Sequence, residues 1–109
     1  MRSMTVRQAD SGGAVALELD DELIVELGET PATGFRWSLA QDAASVLTSR
    51  GSTFTASKAQ PGAGGIAIWR FVASGRGSAR LVLKCVRAWE KEVSACATFQ
   101  LDVSVSPRA

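Results

Sequence analysis

The sequence predicts an all-β protein, an immunoglobulin-like antiparallel β-sandwich of about seven strands. Apolar residues recur at every second position along most of the chain, the signature of strands with one buried face. Clusters of Gly, Pro, Asp and Ser punctuate these runs at short, regular intervals, as in sandwiches. The one candidate helical stretch, 41–47, is too short and too poor in apolar period to be a core helix. Without helices to cover a parallel sheet, an α/β fold is not expected.

The strands follow in order. Val15, Leu17 and Leu19 alternate with polar or small neighbours over 14–19, and Leu23, Val25 and Leu27 do so over 22–27. Phe35, Trp37 and Leu39 mark 35–40; the stretch 41–47 then reads as a connection, with one helical turn or a short edge strand. A weak strand covers 52–57. Trp69, Phe71 and Ala73 define the inward face of 66–73, and Leu81, Leu83 and Cys85 that of 78–87. The last and longest strand, 94–105, alternates Ala97, Phe99, Leu101, Val103 and Val105 with polar residues. Trp37 and Trp69 fall in phase with these inward faces and are expected in the core. Residues 1–13 read as a flexible N-terminal segment and 14–106 as a single domain.

Composition narrows the function. A chain of 109 residues is one domain of ordinary size; it can bury roughly 60–70% of its unfolded surface, enough for a core without staples. The 12 basic and 11 acidic residues leave a net charge of +1, so neither nucleic acid nor an anionic membrane is an expected partner. No apolar run approaches the roughly 20 residues that cross a bilayer. The N-terminus lacks the apolar core of a signal peptide, so the chain is expected in the cytoplasm, or in the periplasm or medium if a leader has been removed.

There is no histidine, which takes away the commonest general base and the commonest zinc ligand. Ser/His/Asp and Cys/His nucleophile systems cannot be assembled, and the chain is read as a non-enzyme with no cofactor and no metal. Of the two cysteines, Cys85 shares the inward face of its strand, while the phase of 97–105 puts Cys96 on the outer face of the last. A bridge between them would need a bulge, and whether they pair stays open.

Successive antiparallel strands reverse direction, so the segments 29–34, 58–65 and 87–93 are expected at one end of the sandwich, where immunoglobulin domains carry binding loops. They are also the three compositionally odd segments. In Glu29-Thr30-Pro31-Ala32-Thr33-Gly34, Pro31 fixes its own φ and holds Thr30 extended, while Gly34 permits a positive φ. Such a stiff, hydroxyl-bearing loop has little entropy left to lose on binding, although the same residues make an ordinary turn. Pro61-Gly62-Ala63-Gly64-Gly65 lacks the spacing, the following helix and the Lys-Ser/Thr of a phosphate loop. It remains a connector, or a place where bare backbone approaches another backbone. In Arg87-Ala88-Trp89-Glu90 the tryptophan sits at a hairpin tip. It is either a binding anchor or a cap folded over the core.

Together these segments resemble the motifs of the chagasin-type inhibitors of papain-family cysteine proteases. Thr30-Pro31-Ala32-Thr33-Gly34-Phe35-Arg36-Trp37 is similar to that family's Asn-Pro-Thr-Thr-Gly-aromatic-x-Trp, Gly62-Ala63-Gly64-Gly65 to its Gly-x-Gly-Gly, and Arg87-Ala88-Trp89 to its Arg-Pro-Trp. Order and spacing agree over about residues 14–105. The resemblance implies a monomeric, reversible inhibitor whose three loops form a wedge in the protease cleft. The first loop would lie over the catalytic cysteine without being cut, and the other two would grip the cleft on either side. The implied contact residues are Thr30, Pro31, Ala32, Thr33 and Gly34; Gly62, Ala63, Gly64 and Gly65; and Arg87, Ala88 and Trp89. Thr30, Ala32 and Ala88 depart from the motif's Asn, Thr and Pro. Losing an amide that can brace a loop, and a proline that stiffens one, leads to an expectation of weaker inhibition or a different preferred protease. The rival reading is an immunoglobulin-like adhesion module that uses the same loops on another partner.

Overall fold

The computed structural model describes residues 2–29, 35–56, 64–87 and 97–107, leaving the side chains of Phe35, Ala56 and Arg87 aside. Within it, eight strands form two four-stranded sheets: β1 (Ser3–Arg7), β2 (Gly13–Glu18), β3 (Glu22–Glu29), β4 (Phe35–Asp42), β5 (Leu47–Ala56), β6 (Gly65–Ala73), β7 (Gly77–Arg87) and β8 (Ala97–Ser106). The first sheet has the order β1-β3-β6-β5 and the second β2-β8-β7-β4. The chain changes sheet at every connection except β5–β6 and β7–β8, the first time through a single 3₁₀ turn at Gln8–Asp10.

The alternating residues face each other between the sheets. Leu23, Val25 and Leu27 of β3 and Phe71 and Ala73 of β6 close one side of the core; Leu81 and Leu83 of β7 and Phe99, Leu101, Val103 and Val105 of β8 close the other. Full burial of each Leu, Val or Phe contributes about 1.5–3 kcal/mol, so these central strands carry most of the stabilisation. Cys85 is buried on the inward face, as its phase predicts, and Cys96 lies outside the described residues.

Three features differ from the expectation. Ser3–Arg7, set apart in the sequence as part of a flexible segment, is strand β1: it pairs with β3 and sends Val6 into the core. It is the eighth strand. The sandwich is also not wholly antiparallel, because β1 runs parallel to β3 and β2 parallel to β8. Each is an edge strand whose neighbours along the chain lie in the other sheet, so no hairpin forces it to reverse. Finally, β5 begins at Leu47, where the sequence suggested 52. A register shift between Ser49 and Ser52, with Gly51 at φ +97, breaks the period-two pattern in mid-strand. A shift between Leu39 and Gln41 interrupts β4 in the same way.

Strand directions divide the molecule into two ends. At one, three short turns (19–21, 43–46 and 74–76) bond to each other: Asp20 N–H donates to Ala73 O at 2.8 Å, Ser74 N–H to Val46 O at 2.9 Å, and Thr48 Oγ1 to Ser74 Oγ at 2.7 Å. The Asp21 carboxylate, 2% exposed, accepts from Glu18 N–H at 3.0 Å, Arg2 N–H at 3.1 Å and the Arg2 guanidinium at 3.2 Å. Ser3, which pairs with Glu22, and Ser106, whose carbonyl takes Leu19 N–H at 3.0 Å, also lie at this end.

Candidate functional site

The other end is where the three odd segments leave and rejoin the strands. In the first sheet Glu29, the last residue of β3, pairs with Gly65, the first of β6, which also pairs with Ala56, the last of β5. In the second sheet Phe35, the first residue of β4, pairs with Arg87, the last of β7, and Cys85 two residues earlier pairs with Ala97, the first of β8. Six strand ends therefore stand side by side, three in each sheet. They frame the segments 30–34, 57–63 and 88–96.

The two sheets are tied together here by Trp37. Its backbone N–H donates to Glu29 Oε1 at 2.8 Å and its indole Nε1–H to the Gly28 carbonyl at 2.8 Å. β4 is an edge strand with β7 on one side only, so the amide of Trp37 is free to bond outside the ladder. The indole itself is 8% exposed and packs in the core. Trp37 thus fills its expected place, and its polar atom is satisfied by the strand on the facing sheet.

Gly64 lies immediately before β6 with φ +83, in the left-handed region where a Cβ costs about 1–2 kcal/mol. The glycine there answers a backbone requirement. Ile66 follows, 45% exposed, paired with Gly28 and Thr55 on the outer face of the first sheet. Beside this end, between the outer edges of β4 and β5, an open cleft of about 220 Å³ is lined by Glu29, Trp37, Phe54 and Trp69, among others. Trp69, expected in the core, is only partly buried against it, and its indole nitrogen has no hydrogen-bond partner among the described residues. Its phase is inward, but the cleft takes the place of packing partners on that side.

Of the residues singled out in the sequence, Gly64, Gly65 and the backbone of Arg87 are described, and all three stand at this end. Thr30, Pro31, Ala32, Thr33, Gly34, Gly62, Ala63, Ala88 and Trp89 lie outside the described residues. Sequence reasoning missed the role of Glu29. The signal was present in the carboxylate that precedes the loop and the tryptophan eight residues on, but it acquires meaning only once two sheets are stacked.

A family model, described as chagasin family peptidase inhibitor I42, matches residues 16–103. The chain belongs to the chagasin family of peptidase inhibitors. Solved structures agree with that fold. The cysteine protease inhibitor EhICP2 from Entamoeba histolytica superposes with a TM-score of 0.87 at 16% identity, covering 96% of each chain. Amebosin gives a TM-score of 0.76 at 21% identity, over 96% of this chain and 97% of its own. PbICP-C, solved in complex with falcipain-2, gives 0.59 at 16% identity, over 97% of this chain and 100% of its own. A search of curated proteins by sequence finds no match. The chagasin-family match spans β2 to β8 and so takes in all six strand ends.

Proposed function

We propose that this chain inhibits papain-type cysteine proteases reversibly, by inserting the segments 30–34, 58–65 and 87–93 into the active-site cleft. The observation that carries the reading is the gathering of the six flanking strand ends at one end of a chagasin-family chain. It is also consistent with the cysteine protease inhibitor EhICP2 and with PbICP-C, which is solved on falcipain-2.

Pro31, Thr33 and Gly34 would occupy the middle of the wedge, over the catalytic cysteine. Gly62, Gly64 and Gly65 would let backbone approach the enzyme closely on one side, and Arg87 and Trp89 would anchor the other. A wedge of three loops buries roughly 800 Å² per partner, the usual size for protease–inhibitor complexes. Anchoring both ends of each segment in a ladder limits the ordering penalty on binding.

The test is a titration of papain and a cathepsin with the purified protein, following turnover of a peptide substrate. Reversible inhibition with the inhibitor chain left uncut is expected. Full activity of a panel of such enzymes at micromolar protein overturns the reading in favour of a different partner for the same loops.

A further inference from the structure

We infer that Glu29 is a positioning residue for inhibition: its carboxylate, on the backbone N–H of Trp37, is the joint that holds the two halves of the binding end in register. The inference rests on the inhibitor reading above. The wedge is assembled from two sheets that share no ladder. The first sheet supplies the anchors Glu29, Ala56 and Gly65, and the second supplies Phe35, Arg87 and Ala97. Apolar packing between sheets is non-directional and does not by itself set how far one sheet slides over the other. Hydrogen bonds do. Among the described residues two cross from sheet to sheet here, both 2.8 Å long, and both join β3 to Trp37.

The two bonds differ in what they can do. The indole-to-Gly28 bond completes a buried side chain and belongs to the core. The Glu29 bond is charge-assisted and runs from the residue just before the segment 30–34 to the third residue after it. It ties both feet of the central segment together and, through the Glu29–Gly65 and Phe35–Arg87 pairs, sets the anchors of the other two. Glu29 also lines the lateral cleft, so removing its side chain opens space that water can enter and leaves the Trp37 amide on an uncovered strand edge. Without the joint the binding-competent arrangement is one of several, and apparent affinity falls by the fraction still populated. The shortfall appears in the association rate, because the competent population is what the protease meets.

The experiment compares Glu29→Ala, Glu29→Gln and, as a control on a distant ion pair, Arg80→Ala, whose guanidinium meets Asp102 at 3.1 Å. Association and dissociation rates with papain, thermal melting, and hydrogen exchange of the Trp37 amide in the free protein are measured for each. Glu29→Ala is expected to slow association on the order of tenfold, as for loss of one strong hydrogen bond, and to speed exchange of the Trp37 amide by a similar factor. Glu29→Gln keeps an oxygen acceptor at the same reach and is expected to restore most of both, and Arg80→Ala to alter neither. A role confined to stability would lower the melting temperature and leave the association rate of the folded protein unchanged; that result overturns the inference. So does unchanged exchange at Trp37 in Glu29→Ala, a readout that needs no protease. If the unmodified protein fails to inhibit, the inhibitor reading falls first, and the positioning role for inhibition falls with it.

Discussion

The two ends of the sandwich are built on different terms. The end that holds Asp20, Val46 and Ser74 is closed by short turns that bond to one another, so its backbone groups are satisfied within a few residues. At the opposite end three longer segments of the chain leave and rejoin the strands, and the described hydrogen bonds fix the strand ends that frame them. Under the proposed function, the contrast puts stability at one end and recognition at the other. Strain at the first end is held by its surroundings: Ala43, at φ 52, offers its carbonyl to both Val46 N–H at 2.9 Å and Leu47 N–H at 2.8 Å.

If that division holds, substitutions at the two ends should separate melting from inhibition. The largest effect is expected from Gly75→Ala. A Cβ there would overlap the backbone carbonyl of Ser45, which cannot swing aside as a side chain can. A loss of about 3 kcal/mol in unfolding free energy is expected, with inhibition by the remaining folded protein unchanged. Denaturant melts and a protease titration on the same sample check both halves. Trp89→Ala should do the reverse, weakening inhibition by about 2 kcal/mol, near thirtyfold, with little change in melting. A large fall in melting temperature would mean that the tryptophan caps the core.

Acid should act on the closed end. The Asp21 carboxyl is held below the ordinary carboxylate value of 3.8, chiefly by the backbone N–H of Glu18 and further by Arg2, against the opposing pull of burial. A group with a lowered folded pKa contributes stability that is fully present above its unfolded value and is lost as pH falls through the folded one. Stability of the unmodified protein should therefore decline below about pH 3.8 through this group. Asp21→Asn should start lower and show a shallower acid decline, measurable by denaturant melts across pH. The smallest effect is expected from Ala88→Pro, which restores the family's stiffer turn. It should tighten inhibition by about 0.4–1 kcal/mol and leave acid stability alone.

How much of this was legible in the sequence varied with how local the determining physics was. The faces of β3 and β8 could be read directly, since Leu23, Val25 and Leu27, and Phe99 through Val105, obey period two without a break and are all buried. β1 escaped because Met4 and Val6 are its only large apolar residues, and its partner β3 lies well beyond any turn. The start of β5 escaped because its irregularity at 49–52 takes the inward phase from Leu47 and Ser49 to Ser52 and Phe54 with an extra residue between. Trp69 was in phase yet only half covered, because phase reports a direction and not whether anything waits there. At the binding end the motifs around Thr33, Gly64 and Trp89 were visible as a resemblance. The bond from Trp37 to Glu29 was not, as it depends on how one sheet lies on the other.

The parallel edge strands carry a practical corollary. Because β1 starts beside Glu22 and β8 finishes beside Glu18, the first and last strands begin and end at the pole away from the loops. Under the proposed function, anything joined to the chain before β1 or after β8 would leave the fold on the side away from an incoming enzyme. On that reading the molecule suits display, held from behind with the proposed contact edge outward.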